Sequence, residues 1–138
     1  MKQSYVLGEN ELEVLVVEFL QNFSNGVVLL QGDLAAGKTT LTKTFAKVLG
    51  VGDEVTSPTF SLQQLYGEKL FHYDLYNKGL EHFISLGLLE ELEKEGLHLV
   101  EWGGHELEEI LHSSGIAVST IVIKKTAFDK REYEVCIH

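Results

Sequence analysis

The sequence predicts an α/β fold in three layers, with helices around a central sheet that mixes parallel and antiparallel strands. Three observations support this prediction. Short apolar runs typical of strands buried on both faces alternate with segments whose apolar residues recur at helical spacing. Two other strand-like runs are joined tightly, and two more close the chain, which indicates antiparallel pairing. The 138 residues and 44% hydrophobic content fit one domain over residues 1–138.

The first half of the chain predicts strand, helix, strand and helix, in that order. Residues 4–7 form a short strand, and the apolar periodicity of residues 10–23 indicates an amphipathic helix. The run VVLLQ at residues 27–31 is typical of a strand buried on both faces. A second helix follows over residues 38–49. Gly50 ends this helix, because glycine readily adopts the left-handed conformation beyond a helix end.

The second half predicts a hairpin followed by alternating helices and strands. Residues 60–66 and 69–74 flank Gly67-Glu68 as two tightly joined antiparallel strands. The remaining predicted elements are a leucine-rich helix, an apolar strand, a short helix and two closing strands, at residues 80–95, 97–102, 106–112, 116–124 and 131–138.

Composition restricts the partners and the compartment of the protein. A formal net charge of −10 repels polyanions on average, so direct binding of nucleic acid through phosphate neutralisation is not expected. The first residues lack the basic start and long apolar run of a signal peptide, and no run approaches the roughly 18 apolar residues of a membrane span. We therefore expect a cytoplasmic protein that meets nucleic acid only through partners.

A phosphate-binding loop is predicted where the strand at residues 27–31 meets the helix at residues 38–49. The segment from Gly32 to Thr40 fits G-x-x-x-x-G-K-T, in which backbone N–H groups and a helix N-terminus face a polyphosphate. Lys38 supplies a cation for the β- and γ-phosphates, and Thr39 supplies a hydroxyl to Mg²⁺. The motif predicts a P-loop NTPase-like fold that binds ATP and Mg²⁺. The nucleotide-binding residues expected in the loop are Gly32, Asp33, Leu34, Ala35, Ala36, Gly37, Lys38, Thr39 and Thr40.

Two acidic residues stand where P-loop NTPases place a metal-binding acid and a water-orienting residue, at the ends of apolar strands. Asp74 ends the run LFHYD, and Glu101 ends the run LHLVE. Periodicity leaves open which of the two touches the metal and which touches water. The alternative for either one is a solvated strand-end carboxylate, which is common in an acidic chain.

The polar segment TSPTF at residues 56–60 is a candidate contact for the γ-phosphate or Mg²⁺. Pro58 holds Ser57 extended, and the hydroxyls of the segment are the groups that could reach these ligands. A plain turn leading into a strand is an equal alternative. Arg131, the only arginine, lies far along the chain from the loop, and no internal arginine finger is expected. The isolated protein should therefore hydrolyse ATP slowly until a partner completes the site.

Four segments together resemble the TsaE (YjeE) family of small bacterial ATPases. They are the phosphate-binding loop, the TSPTF segment, the run HYDLY at residues 72–76 and the pair Glu101-Trp102. A phosphate-binding loop alone fits many families, whereas this ordered combination fits few. The resemblance implies a role in forming N6-threonylcarbamoyladenosine at position 37 of tRNAs that read codons starting with adenine. It also implies that ATP hydrolysis supports the TsaB–TsaD proteins in this reaction.

The resemblance also assigns roles to single residues. It implies that Lys38 and Thr39 serve the phosphates and Mg²⁺, and that Asp74 and Glu101 support metal binding or catalysis. Trp102 lies near the nucleotide in the family, and Thr59 belongs to a switch-like loop. The implied catalytic residues are thus Lys38, Asp74 and Glu101, and the implied metal ligands are Thr39, Asp74 and Glu101. The chain departs from the family at Ala35, usually glycine, and at Asn77, usually arginine.

Two other classes of function stay open. The first is a small-molecule P-loop kinase, although no arginine-bearing lid is evident in the sequence. The second is a non-catalytic switch that binds a nucleotide only to change its affinity for another protein. Residues 77–80 lack the aspartate of the guanine-reading N-K-x-D pattern, which favours adenine. The histidines lack metal-site spacing, and His72, His98 and His105 are interpreted as packing or hydrogen-bonding residues.

Overall fold

The structure is a computed structural model that describes residues 2–32, 37–53, 55–56, 62–76, 79–126 and 129–137, with only the backbone at residues 55 and 56. Its strands are β1 (Lys2–Leu7), β2 (Gly26–Gln31), β3 (Val55–Thr56), β4 (Gln63–Tyr66), β5 (Leu70–Asp74), β6 (Leu97–Glu101), β7 (Val118–Lys125) and β8 (Arg131–Ile137). Its helices are α1 (Leu12–Asn22), α2 (Lys38–Val48), α3 (Gly79–Ser85), α4 (Leu88–Glu91) and α5 (Gly104–Ser113), and a short 3-10 turn, Glu9–Glu11, precedes α1.

Over these residues, eight strands form one sheet in the order β1-β8-β7-β2-β6-β5-β4-β3. The centre is parallel, because β2 pairs with β6 and β7, and β5 pairs with β6. Both margins are antiparallel, through β1, β8 and β7 on one side and β3, β4 and β5 on the other. The predicted mixed sheet is confirmed. Its parallel centre brings the carboxyl ends of β2, β5, β6 and β7 to one edge.

Helices cover both faces of the sheet. Val28 and Leu30 of β2 pack in the core under α1 and α2, whereas Val27 and Leu29 pack in the core with α3, α4 and α5. All four side chains are fully buried, as expected for a central strand with apolar residues on both faces. The α/β class and the layered arrangement predicted from the sequence are therefore confirmed.

The predicted elements match the structure closely, with one clear difference. The leucine-rich segment, residues 80–95, was expected to be one helix, but it forms the separate helices α3 and α4. Gly87 lies between them with φ 77°, a left-handed conformation that ends a helix and allows a new one to begin. The two-residue strand β3 was not predicted. Residues 60, 61 and 138, which were placed in predicted strands, lie outside the described residues.

Across the part of the chain that the structure describes, no helix combines the length and the apolar character needed to cross a lipid bilayer.

Candidate functional site

Strand β2 and helix α2 flank the segment that the sequence predicts to be a phosphate-binding loop. The strand ends at Gln31, and α2 begins at Lys38, directly after Gly37. Gly37 has φ 106° and Gly32 has φ 148°, both in the positive range that glycine tolerates and other residues rarely adopt. Glycine at these two positions thus allows backbone angles that a residue with a side chain would adopt only with strain. The other predicted loop residues, Asp33, Leu34, Ala35 and Ala36, lie outside the described residues.

The Lys38 side chain folds back over the start of the loop. Its Nζ donates a hydrogen bond to the Gly32 carbonyl oxygen at 2.6 Å and lies 4.1 Å from the centroid of the Trp102 ring. Lys38 is only 3% exposed. A buried ammonium group needs acceptors close to it, and the carbonyl and the aromatic face provide them. The cation is therefore held at the mouth of the loop, beside Trp102.

Trp102 has an unusual backbone conformation for its size. Its φ is 63°, the one positive value recorded for a non-glycine residue over the described chain. This conformation costs roughly 1–3 kcal/mol in a bulky residue and persists only where the surroundings enforce it. The ring lies 5.0 Å from the ring of Tyr76, centroid to centroid, and remains partly exposed. The strained turn after β6 thus places an aromatic ring over Lys38.

Asp74 and Glu101 end neighbouring parallel strands and are paired in register. Glu101 is 4% exposed, whereas Asp74 is exposed and its Oδ1 accepts a hydrogen bond from the Tyr76 amide at 3.0 Å. The Leu75 amide, directly after Asp74, donates a hydrogen bond to the Glu101 carbonyl oxygen at 3.1 Å and joins the ends of β5 and β6. The structure therefore places the two predicted acids side by side, at the same sheet edge as Lys38.

The buried carboxylate of Glu101 has a partner that the sequence did not reveal. His72 Nε2 hydrogen-bonds Glu101 Oε2, and both side chains are largely buried. His72 and Asp74 are two residues apart on β5 and so lie on one face of the sheet. The predicted hydrogen-bonding role of His72 is confirmed. The two-residue spacing of His72 and Asp74 in the sequence was the signal that could have placed His72 beside the acids.

Arg131 also lies at this edge. Because β8 runs antiparallel to β7, its first residue stands at the carboxyl end of β7. A Cβ atom added to Gly37 would lie 3.6 Å from Arg131 Nε and 3.8 Å from its Cζ. The argument from chain distance, which placed the arginine away from the loop, is therefore wrong, since the antiparallel return brings it back.

Three oxygen donors predicted for Mg²⁺ lie on described residues: Thr39, Asp74 and Glu101. Thr39 follows Lys38 in the first turn of α2, and its side chain is exposed. Mg²⁺ prefers hard oxygen ligands and keeps several waters, so it needs few protein groups. Thr40 is partly exposed in the same turn. The predicted residue Thr59 lies outside the described residues.

A second histidine, His98, lies in a buried network on the opposite face of the sheet. His98 Nδ1 is 2.8 Å from the Tyr73 hydroxyl, and His98 Nε2 is 2.9 Å from the Lys94 carbonyl oxygen. Gln63 Nε2 donates to the Tyr73 hydroxyl at 3.2 Å and to Glu91 Oε1 at 3.1 Å. Burial lowers the pKa of His98 and raises that of Tyr73. The hydrogen-bonding role predicted for His98 is confirmed.

The sequence matches a protein family and several known proteins. The family described as "Threonylcarbamoyl adenosine biosynthesis protein TsaE" matches residues 7–133. The protein named tRNA threonylcarbamoyladenosine biosynthesis protein TsaE from Bacillus subtilis (strain 168) is 43% identical over 109 residues, which cover 77% of this chain and 66% of that protein. Its namesake from Treponema pallidum (strain Nichols) is 42% identical over 87 residues, which cover 61% of this chain and 64% of that protein.

A solved structure extends the comparison to the whole fold. The crystal structure of YdiB from Bacillus subtilis has a TM-score of 0.71 to this chain at 29% identity, and the match covers 100% of this chain and 87% of that one. The chain spans somewhat less than two thirds of the length of the two curated relatives. Because the family match runs through nearly the entire chain and includes the described site, the chain belongs to the TsaE family.

Proposed function

We propose that this protein is a P-loop ATPase that binds ATP and Mg²⁺ and supports a TsaB–TsaD type complex. That complex would form N6-threonylcarbamoyladenosine at position 37 of tRNAs reading codons that start with adenine. One observation carries the proposal: a buried lysine at the start of α2 lies at the same sheet edge as two paired strand-end acids. Membership of the TsaE family and the names of the relatives supply the biological setting.

The start of α2 suits a polyphosphate. The first amide groups of a helix have no acceptor within the helix, and they carry the positive end of the helix dipole. The first turn of α2 contains no acidic residue that would occupy them. Lys38, whose Nζ donates to the Gly32 carbonyl, would supply its positive charge to the β- and γ-phosphates. ATP therefore fits the charge and the donors that this turn presents.

Thr39, Asp74 and Glu101 are the residues that would hold Mg²⁺. When bound, the ion neutralises charge on the phosphate oxygens and favours transfer of the terminal phosphoryl group to water. The two carboxylates divide metal binding and orientation of the attacking water between them. His72 fixes the Glu101 carboxylate in one direction, and the Trp102 ring limits the access of water to Lys38.

The partner complex would supply the tRNA-binding surface. A net charge of −10 disfavours direct binding to a polyanion, so the protein would act on tRNA only through the partner proteins. Turnover by the isolated chain should be slow, and assembly with the partners should accelerate it. Its proposed location is the cytoplasm, where tRNA modification takes place.

Calorimetry with Mg-ATP tests the binding part of the proposal. Lys38→Ala should weaken binding by about 10- to 100-fold, the range expected when a charged hydrogen-bond donor is lost. Lys43→Ala, which removes an exposed lysine from the same helix, is the matched control and should bind as the wild type does. The proposal is refuted if the folded wild-type protein takes up no Mg-ATP, or if Lys38→Ala binds it unchanged.

Phosphate release tests the catalytic part. Wild-type protein should release phosphate slowly alone and faster with a TsaB–TsaD pair, and ATP should promote its association with that pair in a pull-down. Glu101→Ala should retain nucleotide binding and lose hydrolysis. Unchanged hydrolysis in Glu101→Ala would instead identify a switch that does not need this carboxylate.

A further inference from the structure

Arg131 opens β8 at the edge of the sheet that carries the phosphate-binding loop. We propose that its guanidinium supplies a second fixed positive charge, besides Lys38, to the polyphosphate of the bound nucleotide. The inference rests on the proposed function and assigns to the same site a residue 93 positions from Lys38 along the chain.

The fold aims this side chain at the loop. Tyr133 and Val135 of β8 are buried in the core under α1 and α2, and side chains two residues apart on a strand share a face. Arg131 therefore projects toward the α2 side of the sheet. There its Nε, Cδ and Cζ all lie 3.6–3.8 Å from the position of a Gly37 Cβ, an ordinary van der Waals distance. The guanidinium thus lies against the backbone of Gly37.

The electrostatics of this position favour an anion. Arg131 Nε is buried, next to the residue that precedes α2, where the positive end of the helix dipole lies. Lys38 adds a second side-chain cation one residue beyond Gly37. A polyphosphate carries enough negative charge to interact with both cations and with the helix end. A unit charge a few ångströms from phosphate at a partly buried site changes a binding constant by about tenfold or more.

The neighbouring lysine Lys124 provides a matched control. It lies on β7, and its side chain faces away from α2, because Ile123 on one side of it is buried in the core under α1 and α2. Its Nζ is 3.5 Å from Glu134 Oε1, and the side chain is exposed. Lys124→Gln therefore removes one positive charge from the same pair of strands, on the face of the sheet opposite α2.

The test is calorimetric binding of Mg-ATP and of inorganic tripolyphosphate across a salt series, using wild type, Arg131→Gln, Arg131→Lys and Lys124→Gln. Arg131→Gln should weaken both ligands by about tenfold and reduce the slope of log Kd against log salt concentration. Arg131→Lys, which keeps the charge, should retain most of the affinity and the full slope. Lys124→Gln should match the wild type. Thermal melts identify the folded variants, and Arg131→Met, which keeps the apolar stem, replaces Arg131→Gln should that variant not fold.

Three results would overturn the inference, and a fourth would overturn the proposed function. Equal binding by Arg131→Gln and wild type overturns the inference while leaving the proposed function intact. Weaker ATP binding with unchanged tripolyphosphate binding also overturns it, because the arginine would then serve the nucleoside. Equal losses in Arg131→Lys and Arg131→Gln, with an unchanged salt slope, point to a structural role and overturn it as well. Absence of ATP binding in the wild type would overturn the proposed function itself.

Discussion

Two histidines join β5 to β6, and they do so on opposite faces of the sheet. His72 of β5 contacts Glu101 of β6 at the edge that carries Lys38, whereas His98 of β6 contacts Tyr73 of β5 inside the core. The ring of His98 is also stacked on Phe71, with centroids 4.2 Å apart and planes 7° from parallel. Each histidine therefore links the same two strands, but His72 has a charged partner at the edge of the sheet and His98 has neutral partners in the core.

The hydrogen bonds of His98 define its chemical state. The Lys94 carbonyl oxygen can only accept, so Nε2 carries the proton, and Nδ1 accepts from the Tyr73 hydroxyl. Both ring nitrogens are therefore satisfied in the neutral form, with no capacity left for a ligand. His72, in contrast, contacts one oxygen of the Glu101 carboxylate, which is a charged group at the edge of the sheet. From this comparison we expect His98 to serve stability and His72 to serve the proposed site.

The largest effect should be on stability at His98. His98→Ala removes a fully buried ring, leaves the Tyr73 hydroxyl without its acceptor and should lower the free energy of unfolding by about 3 kcal/mol. His72→Ala leaves the buried Glu101 carboxylate without its partner but removes a ring at the edge of the sheet rather than in the core, so it should cost about 1–2 kcal/mol. Urea denaturation of both variants and of wild type measures the difference. Equal losses at the two positions would break the distinction between them.

The local parts of this fold could be predicted from the sequence, because they depend on neighbouring residues. The loop glycines, Lys38 at the start of α2 and the acids at the ends of β5 and β6 all follow from short patterns of apolar and polar residues. Parallel strands then place those acids together at one edge, as the register of Asp74 and Glu101 shows. The roles of these residues in binding and catalysis stay predictions.

The remaining features depend on strand order, which local patterns do not encode. Arg131 reaches Gly37 only because β8 returns antiparallel beside β7, next to β2. The contact of His72 with Glu101 joins residues 29 positions apart. It depends on the register of a parallel strand pair, which apolar periodicity does not specify.

The break between α3 and α4 was missed for a different reason. Gly87 lies within a leucine pattern that continues across it, and a single glycine inside a helical pattern is often tolerated.

The second effect should be on hydrolysis at His72. His72→Ala leaves the Glu101 carboxylate without the hydrogen bond that directs it, so phosphate release under saturating Mg-ATP should slow by about tenfold, with little change in ATP affinity. The control is His105→Ala, which removes the histidine of an exposed pair whose Nε2 lies 2.9 Å from Glu109 Oε1. That variant should release phosphate at the wild-type rate. Normal turnover in His72→Ala would place the histidine outside the catalytic arrangement.

The smallest effect should be the pH dependence that His98 gives to stability. Its pKa is lowered mainly by burial, with the Lys94 carbonyl and Glu91 opposing the shift and the Lys94 ammonium reinforcing it. In the unfolded chain the histidine has an ordinary pKa of about 6.5. Below that pH the unfolded chain therefore binds a proton more readily than the folded protein does. The free energy of unfolding consequently falls as the pH drops. Between pH 7.5 and 5.5, wild type should lose more free energy of unfolding than His98→Gln, by up to about 1.4 kcal/mol, the limit set by the unfolded pKa. The glutamine keeps a donor for the Lys94 carbonyl but cannot titrate. His105→Gln should follow the wild type, and parallel losses in wild type and His98→Gln would show that the buried imidazole takes up its proton without unfolding.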